Sequence, residues 1–177
     1  MSDSHGRTDL EDCLQVLVGL PLSIARKAAG MTIFHFGAVR PHPSGKGTVG
    51  AYALHIQCPW RLIANDAVLT GTADSFVGPS EGLEIDDADV RSGNLQAVRI
   101  GSLLQGYDEV TRSFVNTTGQ LVVTDAHADA FGGADLALSG GYRLQIFPDG
   151  SRGEDWRFME LQGRHVVIEG GRTRVDD

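Results

Sequence analysis

The chain has 177 residues and a formal net charge of −8, with 23 acidic against 15 basic side chains. Its length fits one domain with its own core, and its acidity argues against nucleic-acid binding, which needs a basic face. No apolar run approaches the about 20 residues that span a bilayer, and the polar N-terminus lacks the features of a signal peptide. With Cys13 and Cys58 as its two cysteines, the chain predicts a cytoplasmic protein without membrane or nucleic-acid partners.

The N-terminal part predicts a disordered tail at residues 1–8, ahead of a single β-rich domain at residues 9–177. From Asp9 onward, apolar residues recur at helical spacing behind an acidic first turn, where the helix dipole favours negative charge. Gly19 and Pro21 end this helix. We expect it to be short and amphipathic, and to cover the edge of a sheet.

Strand signals follow the helix. Two β-type segments flank Ala29-Gly30, which predicts a hairpin. Residues 41–50 are rich in Pro, Gly and Ser, and predict a loop. Residues 52–63 form a strongly apolar strand, which Pro59 bends or bulges because proline cannot donate to a ladder. A further strand is predicted at residues 67–76.

The second half predicts one more helix and then strands to the end. Residues 78–94 form a polar, acidic loop, and Asn94 caps a helix with an inward face, for which we predict Leu95, Val98 and Leu103. The β-type segments after it are residues 119–128, 134–141, 142–150 with 155–161, and 164–170. This order predicts an α+β fold, either a mainly antiparallel sheet or a partly open barrel, with two short helices.

Two segments of the chain resemble each other. Gly50–Ile56 and Gly140–Ile146 share a Gly-x-Tyr-x-Leu-x-Ile pattern, and a Trp-Arg pair follows each. In both segments the Tyr, Leu and Ile recur at the period of one strand face. Two readings stay open: two similar hairpins built from the same chemistry, or an internal duplication.

Residues 139–149 with Trp156-Arg157-Phe158, and the earlier segment HIQCPWR at residues 55–61, resemble signatures of a group of small uncharacterised bacterial proteins. The resemblance extends over residues 10 to 170. It departs from the group at Asp155, where histidine is expected. It implies a compact β-rich fold and transfers no functional residues. The group is loosely similar to immunity proteins that neutralise bacterial toxins.

A metal site is one candidate for function. Asp125, His127 and Asp129 alternate along a predicted strand, so their side chains could converge on one face and bind zinc or another divalent cation. A further ligand would come from one of three histidines, namely His35, His42 or His55. The alternative is a solvated strand face or a turn, and we expect no cofactor.

A partner-binding surface is the second candidate. The acidic residues that would form it are Glu81, Glu84, Asp86, Asp87 and Asp89. They would complement a basic protein, or form an ordinary solvated charge run. They could also bind Ca²⁺, although the stretch lacks the invariant glycine and the terminal glutamate of an EF-hand loop. Trp60 and Trp156, each beside an arginine, would anchor an interface or belong to the core.

Cysteine and serine chemistry are poorly supported. Cys58 and His55 lie three apart on one strand, so they point to opposite faces, and no GxSxG elbow or phosphate-binding loop is present.

The sequence therefore predicts a non-catalytic protein-interaction module, of immunity type, that binds a toxin or another basic partner. The alternatives are a metal-dependent enzyme or metal-binding protein built on Asp125, His127 and Asp129, or a structural subunit that dimerises through a β-edge. The chain would be a monomer or a homodimer.

Overall fold

A computed structural model describes residues 4–81 and 93–176, with side chains from residue 9 onward. The helices are α1 (Ser4–Gln15), a short 3-10 helix (Thr72–Phe76) and α2 (Leu95–Leu104). The strands are β1 (Leu22–Ala28), β2 (Met31–Phe36), β3 (Arg40–Pro41), β4 (Thr48–Val49), β5 (Tyr52–Ile56), β6 (Trp60–Ala64), β7 (Ala67–Gly71), β8 (Gln105–Asp108), β9 (Ser113–Asn116), β10 (Val123–Ala128), β11 (Ala134–Leu138), β12 (Tyr142–Ile146), β13 (Glu154–Glu160), β14 (His165–Glu169) and β15 (Arg172–Asp176). Within these residues, neither α-helix is long and apolar enough to cross a bilayer.

The strands form two main sheets and one small ribbon. The large sheet has the order β15-β14-β13-β5-β2-β1-β9-β8, the small sheet has the order β10-β11-β12-β6-β7, and β3 pairs with β4. All described pairings are antiparallel. The fold is therefore α+β and mainly antiparallel, as the sequence predicts.

The two sheets pack face to face over one apolar core, to which both contribute alternate residues. Phe34 of the large sheet meets Trp60 of the small sheet edge to face, with ring centroids 5.0 Å apart. Each helix then covers one open side of this sandwich. Helix α1 contacts the edge strands β10 and β15, and α2 contacts β7, β8 and β9 at the opposite edges. The helices thereby shield edge strands of both sheets.

Several local predictions are confirmed. Ala29 and Gly30 both have positive φ (48° and 83°) and connect β1 to β2, as a two-residue hairpin of this kind requires. Asn94 caps α2 by accepting a hydrogen bond from the Ala97 amide at 2.8 Å. The single strand predicted at residues 52–63 is instead two strands, β5 and β6, which lie on either side of Pro59 and belong to different sheets.

Other boundaries differ from the prediction. Helix α1 begins at Ser4, inside the segment predicted as a tail, because extending a helix that is already docked costs far less than starting one. The predicted loop at residues 41–50 contains part of the β3–β4 ribbon. Strands β8, β9 and β15 were not predicted.

The inward face of α2 is also different from the prediction. Its buried residues are Gln96, Ala97, Ile100 and Leu104, whereas Val98 is exposed. The cause is Gln96, which is polar yet buried: its amide nitrogen donates to Gly71 O and Ser75 Oγ, both at 2.9 Å. These hydrogen bonds hold the Gln96 side chain on the buried face of α2. The spacing of apolar residues alone therefore predicts the wrong face of the helix as buried.

The two similar segments are not hairpins, because each exchanges its second strand with the other. In the large sheet β5 pairs with β13, so Trp156 lies opposite Ile56. In the small sheet β12 pairs with β6, so Trp60 lies opposite Ile146. The register is the same in both pairs, and the two segments are therefore structurally equivalent.

Candidate functional site

A cavity of about 320 Å³ lies on the face of the large sheet that points away from the core. Its floor comes from neighbouring strands, on which residues alternate between the two faces. The aromatic and aliphatic neighbours of each floor residue enter the core. The floor residues themselves point outward: Arg26 of β1, His35 of β2, Ala53 and His55 of β5, and Met159 of β13.

Two chain segments wall the cavity. One is the ribbon β3–β4 and the residues that follow it, and the other is the turn from β13 to β14. The first wall lies tight against β2 because residue 50 is glycine. A Cβ there would lie 2.5 Å from the Phe36 carbonyl oxygen, so the backbone approach depends on its absence.

His35 is the most buried polar residue of the site, with 3 % of its surface exposed. Its Nδ1 accepts a hydrogen bond from the Gly50 amide at 3.2 Å. Burial first, and the nearby Arg26 charge second, lower the pKa of His35 to about 3, so the imidazole is neutral and carries its hydrogen on Nε2. That Nε2 is buried and has no partner among the described residues.

Arg26 presents a second donor without an acceptor. Its Nε is buried and unpartnered, and it forms no ion pair with any described residue. Burial lowers the pKa of its guanidinium. Arg157, on the same face, differs: its Nε and Nη2 donate to the two Glu154 carboxylate oxygens at 3.0 and 2.7 Å. Arg26 therefore supplies a positive charge that has no ion-pair partner among the described residues.

His55 completes the polar floor. It lies in one row across the sheet with Arg26, separated from it by Ile33. Burial, followed by the charges of Arg26 and Arg157, lowers the pKa of His55 to about 4. The floor thus combines two neutral imidazoles with one guanidinium. Such a set donates hydrogen bonds to an acceptor and favours negative charge.

The predicted metal triad is only partly assembled. His127 Nε2 lies 2.9 Å from Asp125 Oδ2, and its Nδ1 lies 3.3 Å from Glu11 Oε1 of α1. These hydrogen bonds, with Glu11 first and Asp125 second, raise the pKa of His127. Asp129 lies beyond the end of β10, where its Oδ1 accepts from the amides of Phe131 and Gly133.

Asp129 is therefore occupied in a turn rather than joined to the other two residues. The histidines considered as a fourth ligand (His35, His42 and His55) line the cavity of the large sheet instead. Within the described ranges, no group of three His, Cys, Asp or Glu side chains is arranged to hold a metal ion.

The predicted partner surface is described at one position. Glu81 is exposed, whereas Glu84, Asp86, Asp87 and Asp89 lie outside the described residues, so an interface there stays a prediction. Both tryptophans are in the core. Trp156 Nε1 donates to Gly132 O at 2.8 Å and Trp60 Nε1 donates to Thr32 Oγ1 at 3.2 Å, so neither ring offers a surface to a partner.

Cys58 is buried in the core and unpaired, while His55 lies on the opposite face of the large sheet. Burial first, and the Asp155 carboxylate second, raise the pKa of Cys58 to about 12. The thiol is therefore protonated and unreactive at neutral pH. Cys58 functions as a small core residue.

The sequence analysis does not predict this cavity, although two strand segments carry a pattern that indicates it. The segments IFHF and ALHI each place one histidine inside an otherwise apolar strand. Such a histidine is buried on one face of a sheet, and two of them on neighbouring strands indicate a shared polar site. Arg26 adds no comparable signal, because LSIARKA is an ordinary strand sequence.

Comparison with family models, with curated proteins and with solved structures finds no significant match to this chain. The fold and the cavity define a two-sheet antiparallel protein with a polar-floored cavity on one outer face. A function for this protein follows from the chemistry of that cavity.

Proposed function

We propose that this chain is a non-catalytic binding protein that holds a small molecule in the cavity on the outer face of the large sheet. The observation that supports this most strongly is the pair of buried donors, Arg26 Nε and His35 Nε2, which find no acceptor in the described protein. A buried donor without an acceptor costs about 1–3 kcal/mol, and more for a charged group. A ligand with an acceptor group would offset this cost.

The cavity also has the form of a ligand site. Its volume of about 320 Å³ lies at the small end of the range for small-molecule pockets, roughly 300–1,000 Å³. A few polar groups converge on one floor, and apolar side chains such as Val49 and Met159 line the rest. This combination gives a ligand both buried apolar contact and a fixed orientation.

Binding accounts for the floor better than catalysis does. With pKa values of about 3 and about 4, His35 and His55 are weak bases at neutral pH. The described residues that line the cavity include no serine, threonine, cysteine or lysine, so nucleophilic catalysis by a hydroxyl of that kind, a thiol or an amine has no candidate among them. The same side chains suit recognition, because neutral imidazoles donate and accept hydrogen bonds without a change of charge.

A ligand screen with a blocked cavity tests the proposal. A library of small molecules would be screened by two-dimensional ¹⁵N NMR, following the amides of residues 49–55. Ala53→Leu adds bulk to the cavity floor, and Ala137→Leu is the matched control because Ala137 points outward from the small sheet. We expect ligands that shift the cavity amides, lose binding to Ala53→Leu and bind Ala137→Leu as they bind the unchanged protein.

Two results would contradict the proposal. One is a screen in which no compound shifts the cavity amides. The other is a set of ligands that bind Ala53→Leu with unchanged affinity. If Ala53→Leu fails to fold, Ala53→Val blocks the floor with less added volume and takes its place.

A further inference from the structure

We infer that the ligand carries one carboxylate group, which Arg26 and His35 bind together, and an apolar body that packs on Val49, Ala53 and Met159. This inference rests on the proposed binding function and adds the chemical class of the ligand. It follows from the position of the two donors, from the charge of the cavity and from its size.

The two donors are placed to share one group. Arg26 lies opposite Ile33, and His35 follows Ile33 by two positions on the same face of β2. Such diagonal neighbours have Cβ atoms about 7 Å apart, within reach of long side chains, so one ligand group can contact both residues. A carboxylate offers one oxygen to each donor, and its planar geometry matches the fork of a guanidinium.

The charge of the cavity favours a single negative charge. Arg26 is the one lysine or arginine among the described lining residues, and Glu160 adds a fixed negative charge to the same lining. His35 and His55 add none, because burial keeps both neutral. A second negative charge on the ligand would find no second lysine or arginine among the described lining residues and would be repelled by Glu160. A carboxylate therefore fits this site better than a phosphate dianion.

The neighbouring arginine strengthens the assignment to Arg26. Arg157 lies in the same row of the sheet, beyond His55, but its charge is already paired, because its Nε and Nη2 donate to the Glu154 carboxylate. A carboxylate at the cavity floor consequently has Arg26 as its charged partner. The size of the cavity limits the rest of the ligand to about one ring or a short chain.

The test uses five probes of similar size: benzoate, phenylacetate and hexanoate as carboxylates, benzamide as a neutral analogue of benzoate, and phenyl phosphate. Calorimetric titration would be carried out on the unchanged protein, on Arg26→Gln, on Arg26→Lys and on Arg99→Gln. Arg99 is an exposed arginine of α2, so it serves as the matched control. Phenyl phosphate at pH 8 provides the dianion.

We expect at least one carboxylate to bind more tightly than benzamide and phenyl phosphate. Arg26→Gln should weaken that binding at least about tenfold, which is what the loss of one charged hydrogen bond gives. Arg26→Lys should recover part of the affinity, because lysine restores the charge without the fork, and Arg99→Gln should change nothing. On binding, the ¹⁵N-coupled spectrum of His35 should keep its hydrogen on Nε2 and show a shift of that group.

The outcomes separate this inference from the proposed function. If benzamide or phenyl phosphate binds as tightly as every carboxylate, or Arg26→Gln binds the carboxylates unchanged, the carboxylate inference is wrong while the cavity remains a binding site. If all three carboxylates fail to bind and the library gives ligands that Ala53→Leu excludes, the inference is also wrong. If neither probes nor library compounds bind, the proposed function fails with it.

Discussion

Gly50→Ala should both destabilise the protein and disturb the cavity. The added Cβ would lie 2.5 Å from Phe36 O and 3.0 Å from Phe36 N, and backbone atoms cannot rotate away as a side chain can. Crowding of this kind costs about 1–3 kcal/mol. Alanine also makes the unfolded chain less flexible, which offsets about 0.4–1 kcal/mol of this cost. A displaced Gly50 amide loses its hydrogen bond to His35, which destabilises the protein by about 0.5–1.5 kcal/mol more.

The sum is a destabilisation of about 2 kcal/mol. For a domain of this length it corresponds to a fall in Tm of about 4–8 °C. Urea unfolding would measure the free energy of unfolding, and the m-value should stay constant. The ¹⁵N spectrum of the His35 imidazole would report in parallel on the hydrogen bond between Gly50 N–H and Nδ1.

Gly101→Ala is the matched control. Its Cβ would meet the Phe114 ring at 3.0 Å, but a ring can turn aside, and alanine gains up to about 1 kcal/mol of helix propensity over glycine. Its free energy of unfolding should therefore stay within about 1 kcal/mol of the starting value. If Gly50→Ala is as stable as Gly101→Ala and leaves the His35 signals unchanged, the close approach to Phe36 does not hold the cavity wall.

Two further predictions concern the helix cover and the histidines. Leu14→Ala, at a fully buried position of α1, should cost about 2–5 kcal/mol in urea unfolding, whereas Val16→Ala, 43 % exposed, should cost less than about 0.5 kcal/mol; equal effects would mean that α1 does not pack on the sheets. The pKa of His35 is about 3 in the folded protein and about 6.5 in the unfolded chain, so the unfolded chain binds a proton first as the pH falls. The free energy of unfolding is therefore fully maintained above about pH 6.5 and falls progressively toward about pH 3. His35→Gln should therefore flatten the stability profile on the acid side. The pKa of His127 is raised instead. The stability that His127 contributes is therefore present at low pH and is lost as the pH rises through its folded pKa. His127→Gln should not flatten the acid side of the stability profile.

The parts of the fold that the sequence predicts are those set by neighbouring residues. The turn at Ala29-Gly30 depends on two adjacent backbone conformations, and the Asn94 cap on an amide three residues away. The rotation of α2 could not be predicted, because it depends on Gln96 bonding to Gly71 and Ser75, which lie more than twenty positions earlier in the chain.

The same reasoning explains why the candidate site was missed. Its floor joins side chains from four strands that become neighbours only when the large sheet forms. His35 and His55 were considered as extra metal ligands because histidine on its own suggests a metal. What distinguishes them in the fold is their burial and, for His35, an Nε2 without an acceptor among the described residues, and neither property is visible in a linear sequence. Arg26 carries even less information, since only the folded state shows that it forms no ion pair with a described residue.

The exchange of strands between the two similar segments shows which positions of the large sheet form the cavity. Their shared Tyr-x-Leu-x-Ile positions face the core in both sheets, so the scaffold fixes them. The outward positions are free to differ. In β12 they are Arg143 and Gln145, whose side chains both donate hydrogen bonds to the Asp135 carboxylate of β11. In β5 the equivalent positions are Ala53 and His55, one small and one neutral, and they leave space beside the Arg26 guanidinium, which forms no ion pair with a described residue. Because the scaffold is the same in both cases, the cavity comes from this pair of outward positions and from its two walls, the β3–β4 ribbon and the turn from β13 to β14.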